Sequence, residues 1–96
     1  MKIVRFHRAA EAEMREAAAW YEAQQPGLGS RFLVTVQDAV NRIVINPALY
    51  PVVDSDVRRC LTKTFPFGVL FRDLPQHVVI MAVMDLRRDP DYWKNR

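Results

Sequence analysis

His77-Val78-Val79-Ile80-Met81-Ala82-Val83-Met84 is the stretch that decides the fold. Val78 to Met84 contains no polar alternation, and a strand without a wet face must be covered on both sides, so this segment predicts a central strand. At seven residues it is far short of the roughly 20 that a membrane-crossing helix needs. Immediately upstream, Gly68 to Leu74 reads as a second strand, joined to the first by a hairpin whose turn includes Pro75-Gln76. Further back, Val57 to Leu61 makes a third, and prolines 47, 51, 66 and 75 punctuate the runs rich in Val, Leu, Phe and Ile.

The first half of the chain changes character. Lys2 to Phe6 alternates as a short, half-polar strand, and it is expected to pair with the His77 to Met84 strand. Ala9 to Gln24 is rich in helix formers, with Ala10, Met14, Ala17 and Tyr21 on one stripe. Glu11 and Glu13 lie in its first turn, where the helix dipole favours negative charge, and Pro26-Gly27 ends it. A second helix is predicted from Ser30 to Ile45, with Ser30 as N-cap and Phe32, Val36, Ala39, Val40 and Ile43 on its buried face. Asp38 and Arg42 pair one turn apart, and Asn46-Pro47 stops the helix by a left-handed residue and then a ring that cannot continue it. The order strand, helix, helix, strand, strand, strand defines an α+β fold with two antiparallel helices.

The 96 residues suit one domain, 1–96, and half of them are hydrophobic, a globular composition. The single cysteine, Cys60, excludes an intramolecular disulfide and any multi-cysteine zinc or iron–sulfur site, which fits a reducing compartment. The opening residues alternate charge with apolar side chains and lack the apolar core of a secretory signal, so a cytoplasmic protein is expected. The net charge is +3, with six basic and five acidic groups in residues 1–48 and eight and six in residues 49–96. Neither half is a basic tail, so any anion site must be built locally.

Glycine-rich phosphate loops, the Gly-x-Ser-x-Gly elbow, the His-Glu-x-x-His zinc helix and Cys-x-x-Cys are all missing, and no cofactor or metal is expected. His7 and His77 read as surface residues at strand ends, and Cys60 as a packing residue. Two segments stand out. In Val57-Arg58-Arg59-Cys60-Leu61-Thr62-Lys63 strand alternation places Arg59 and Lys63 on one side and Arg58 on the other, and such a basic row predicts a solvated edge strand. In the segment from Asp85 to Arg96, Asp89 and Pro90 open a final helical turn that aims Tyr92 and Trp93 back at the body. Trp93 is then an anchor. Arg87 and Arg88 either pair with Asp85, Asp89 or Asp91, or form a fork for phosphate or carboxylate beside Tyr92.

In these residues the chain resembles the RelE/ParE superfamily of toxins from type II toxin–antitoxin modules, a group that includes plasmid stabilisation proteins. The likeness runs through Arg5-Phe6-His7, Trp20-Tyr21-Glu22, Pro26-Gly27-Leu28-Gly29, Asn46-Pro47, Tyr50-Pro51, Val57-Arg58-Arg59, Phe65 to Arg72, and Arg87-Arg88-Asp89-Pro90 with Trp93. It implies a β-α-α-β-β-β domain with two N-terminal helices packed on a small, mainly antiparallel sheet. It implies a cognate antitoxin that folds onto the toxin and neutralises its basic groups. It also implies one of two targets: ParE-like members inhibit DNA gyrase, and RelE-like members cleave messenger RNA on the ribosome. Arg58, Arg59, Lys63, Arg72, Arg87, Arg88 and Tyr92 fall where relatives place target-binding groups, and in a ribonuclease Arg59, Arg88 and Tyr92 would be catalytic. Asp85 stands where many relatives have a histidine, and an aspartate carries no proton to donate at neutral pH unless its pKa is strongly raised. With a net charge of only +3 for docking into RNA, the expectation is ParE-like, non-enzymatic inhibition of gyrase. A third reading is an antitoxin-binding module that has lost toxicity.

Overall fold

A computed structural model describes residues 2–96. The elements are β1 (Ile3–Phe6), α1 (Arg8–Gln24), α2 (Leu28–Ile45), a 3-10 turn (Pro47–Leu49), β2 (Val52–Asp54), β3 (Val57–Leu61), β4 (Phe67–Asp73) and β5 (His77–Asp85). The sheet order is β1-β5-β4-β3-β2. β1 pairs with β5 in parallel, Ile3 opposite His77 and Phe6 opposite Ile80, and the other neighbours are antiparallel.

The all-apolar run is an interior strand, as expected, although β4 rather than β5 is the middle of the sheet. Its two covers differ. On one face Phe32, Val36, Ala39 and Ile43 of α2 and Ala10 and Ala18 of α1 bury Val69, Phe71, Val78, Ile80 and Val83. On the other, Trp93 of the carboxyl-terminal segment lies on Val57, Leu70, Ala82 and Met84. Cys60 is fully buried on the helix face, where desolvation raises its thiol pKa.

Helix ends depart from expectation in an instructive way. His7 is no idle strand-end residue: its Nδ1 accepts the Ala9 N–H at 3.1 Å and caps α1. α2 begins at Leu28, so Ser30 is inside the helix and is not its cap. The N-cap is Gly27, at φ 88°, which has no side chain to offer. Glu22 of α1 supplies the missing acceptor instead, taking the Gly27 and Gly29 N–H groups at 2.9 and 3.0 Å, so one helix caps the next. At the far end Asn46 has φ −153°, not the left-handed conformation expected, and Pro47 alone enforces the stop.

The basic strand is not an edge. β2, which the prolines around it hide in the sequence, pairs Val52 with Arg58 and Asp54 with Val57 and takes the edge position. It is three residues long and irregular in register, features that blunt an exposed edge. The carboxyl-terminal segment forms successive i to i+3 turns rather than a helix, with the Asp89 carboxylate accepting the Asp91 N–H at 3.0 Å. No helix among the described residues is long and apolar enough to cross a membrane.

Candidate functional site

Strand alternation separates the basic residues. Arg58 points to the helix face and donates to the carbonyls of Tyr50 (2.6 Å) and Ala48 (3.4 Å), tying the 3-10 turn to β3. Lys63 lies beyond the end of β3 and approaches Asp38 of α2 at 3.9 Å, so it does not share a side with Arg59. Asp38 is already bound to Arg42 at 3.0 Å, the pair the helical spacing predicts. Arg72 grips Asp56, with Nε 3.0 and 3.2 Å from its two oxygens, and holds that carboxyl below its usual range. Arg87 grips Asp85 in the same manner at 2.9 and 2.7 Å, and its hydrogen bonds are the main reason the Asp85 pKa is lowered. A carboxyl so depressed is ionised at neutral pH and cannot act as the acid its position would require.

Arg59 and Arg88 are different: among the described residues neither side chain has a carboxylate or carbonyl partner. The stem of Arg59 lies across Gly68, its Cδ and Cγ 3.1 and 3.2 Å from where a Cβ would stand, and its Nε is buried without an acceptor. Arg88 is exposed and stacks on Tyr92, Cζ 4.2 Å from the ring centroid. It borders a cleft of about 310 Å³ between α1 and the end of β5, whose rim also carries Arg87 and Trp20.

The phenol beneath Arg88 is committed elsewhere. β1 ends opposite Ile80, which leaves β5 with an open edge, and side chains fill it. Glu13 of α1 accepts the Val83 N–H at 3.2 Å, Arg96 Nη1 at 2.8 Å, Arg96 Nη2 at 3.0 Å and the Tyr92 hydroxyl. Arg96 also donates to the Met81 carbonyl at 3.1 Å. Glu13 and Arg96 are 83 residues apart, and nothing in the local pattern of either marks the connection. Among the described residues no three His, Cys, Asp or Glu side chains converge as a metal site would require.

Burial, reinforced by the hydrogen bond to Glu13, pushes the Tyr92 pKa far up. Burial likewise raises Tyr21 and Tyr50. A group whose acid form is favoured by the fold stabilises it below the unfolded pKa of about 10 and ceases to do so as pH rises towards the folded value. In an alkaline titration, the Tyr92 share of the tyrosinate absorbance near 295 nm should therefore appear together with the loss of circular dichroism. Titration of Tyr92 near pH 10 in the intact fold would contradict the geometry.

The β-α-α followed by an antiparallel meander, with β1 returned in parallel beside the last strand, is RelE/ParE architecture. The chain belongs to the ParE toxin family: the family model for the ParE toxin of type II toxin–antitoxin system, parDE, matches residues 4–90. Among solved structures, a chain from "Chromosomal ParDE TA system from P. aeruginosa" is similar with a TM-score of 0.65, at 20% identity, over 90% of this chain and 97% of that one. That likeness concerns the fold. Curated proteins provide no match.

Proposed function

We propose that this toxin inhibits DNA gyrase by protein–protein contact and is neutralised by a cognate antitoxin that covers its exposed apolar surface. The observation that carries the reading is the state of the proposed target-binding groups. Arg58, Arg72 and Arg87 are engaged within the fold, Lys63 is 70% exposed with Asp38 no nearer than 3.9 Å, and the guanidinium groups of Arg59 and Arg88 have no carboxylate or carbonyl partner among the described residues. Two separate guanidinium groups suit discrete carboxylates on a protein better than a phosphate backbone, where affinity grows with the number of neutralised charges. The chemistry of RNA cleavage is also poorly served. The Tyr92 hydroxyl donates to Glu13 and Asp85 is ionised by Arg87, so neither is free to act as the acid.

Antitoxin binding is supported by Ile3, Val34 and Ile45, which are 62%, 70% and 79% exposed along β1 and α2. Of these, Ile45 lines a groove between β1 and α2 together with Val4, Val40 and Val44. An apolar segment of a partner would fit there. The deciding experiment adds purified full-length toxin to a gyrase supercoiling assay and, in parallel, to translating ribosomes. Loss of supercoiling with intact messenger RNA is expected. Ribosome-dependent cuts abolished by Arg88→Ala or Tyr92→Phe would establish the RelE-like activity instead. Normal growth on expression of the chain alone would leave only antitoxin binding.

A further inference from the structure

Resting on that reading, we propose that Glu13 is a positioning residue for the target-binding site: by fixing Tyr92 it presents Arg88 as a pre-oriented fork for an acidic side chain on the target protein. Three observations support it. First, Arg88 is the exposed cation of its neighbourhood whose charge is not already cancelled, because Arg87 is held by Asp85 and Arg96 by Glu13. Glu16 lines the same cleft, so the local field is nearly balanced and gives little to a polyanion, and a carboxylate would have to be met by the Arg88 fork itself.

Second, Arg88 is held only by stacking. Its guanidinium lies over Tyr92, and an arginine stacked in one orientation has less rotamer freedom to lose when it binds. The planar fork stays available at its edge for a bidentate hydrogen-bond pair.

Third, the ring on which Arg88 rests is itself fixed by Glu13. The Glu13 and Arg96 side chains retain only 13% and 16% exposure, and Glu13 accepts from the Tyr92 hydroxyl while it grips Arg96, whose guanidinium carbon itself lies 5.0 Å from the centroid of the same ring. Glutamine at this position cannot reproduce the arrangement. Its carbonyl oxygen can serve two donors, and its NH2 group then opposes the Arg96 guanidinium, which has no lone pair to accept with. The Tyr92–Arg96 segment should loosen, and Arg88 with it.

The test uses Glu13→Gln, Arg88→Ala and the double variant, all in the full chain. In the gyrase supercoiling assay Arg88→Ala should raise the half-inhibitory concentration at least tenfold. Glu13→Gln alone should raise it about fivefold and add nothing in the Arg88→Ala background, since its effect passes through Arg88. Its effect on the thermal midpoint should be the same in both backgrounds. An equal loss of inhibition from Glu13→Gln with and without Arg88 overturns the proposal, and so does a loss confined to antitoxin affinity. Nuclear magnetic resonance supplies a readout independent of the target: the Arg88 side-chain resonances should show the Tyr92 ring-current shift in the wild type and lose it in Glu13→Gln. An unchanged shift refutes the positioning role. A wild type without effect on gyrase refutes the target, and the resonances still decide whether Glu13 orients Arg88.

Discussion

Trp93→Ala should lower stability by about 3 kcal/mol, within the range for truncating a buried tryptophan, and depress the thermal midpoint by roughly 15 °C for a domain of this size. Trp93 is 4% exposed and is the main cover for the sheet face opposite the helices, where it meets Val57, Leu70, Ala82 and Met84 from β3, β4 and β5. Removing the indole opens a cavity over three strands at once and deprives the last turns of their anchor. Its Nε1 also donates to the Pro90 carbonyl at 2.7 Å. Trp93→Phe keeps most of the packing and loses that bond, so it should cost about 1 kcal/mol. Thermal denaturation of both variants is the measurement. If Trp93→Ala moves the midpoint by less than 3 °C, the segment is not a structural part of the domain. Release of Trp93 should also loosen Tyr92 and Arg96, so the same variant should weaken the gyrase inhibition proposed above.

The second large effect is expected at Gly29, and its sign is the informative part. In an exposed helix, glycine to alanine stabilises by about 1 kcal/mol. At Gly29 the new Cβ would stand 2.5 Å from the Ala18 carbonyl oxygen and 2.9 Å from the Glu22 Cβ. Backbone cannot swing aside as a side-chain end can, so α1 and α2 must move apart. That separation disturbs the stack in which Phe32 meets Tyr21 and Phe67 at centroid distances of 5.3 and 4.8 Å. It also pulls Glu22 from the two N–H groups it caps. Overpacking of this kind costs about 1 to 3 kcal/mol, and with the lost cap the net effect of Gly29→Ala should be destabilisation by about 2 kcal/mol. Denaturant titration checks it, and a stabilised variant would mean that the helices are not in close contact there. Gly27 is the control: a Cβ there meets nothing within 4 Å, and the only obstacle is φ 88°. Gly27→Asn should therefore be tolerated, since asparagine accepts the left-handed region more readily than other side chains.

Much of the architecture was legible because it depends on local pattern. All five residues assigned to the buried face of α2, Phe32, Val36, Ala39, Val40 and Ile43, are buried. The unbroken run from Val78 to Met84 is interior, β1 pairs with it, and Trp93 anchors the tail. Missed features share a different cause. β2 is three residues beside a proline and exists only through its pairing with β3, so no periodicity announces it. The same hidden strand turned a predicted edge into an interior position for Arg58 and Arg59.

The candidate site was legible only as an inventory. Arg58, Arg59, Lys63, Arg72, Arg87, Arg88 and Tyr92 can be picked out by residue type and by resemblance, but their availability cannot. Asp56 engages Arg72 across 16 residues, the carbonyls of Ala48 and Tyr50 engage Arg58, and Glu13 reaches Tyr92 and Arg96 across 79 and 83. The sequence by itself determined the element order apart from β2 and the faces that would be buried, because the periods of strand and helix and the placement of glycine and proline are written locally, and its motifs carried the resemblance to the family. Only the tertiary structure decided which cations remain unpaired, because a hydrogen bond or ion pair depends on two groups meeting in space, and their separation along the chain leaves no trace in the pattern around either one.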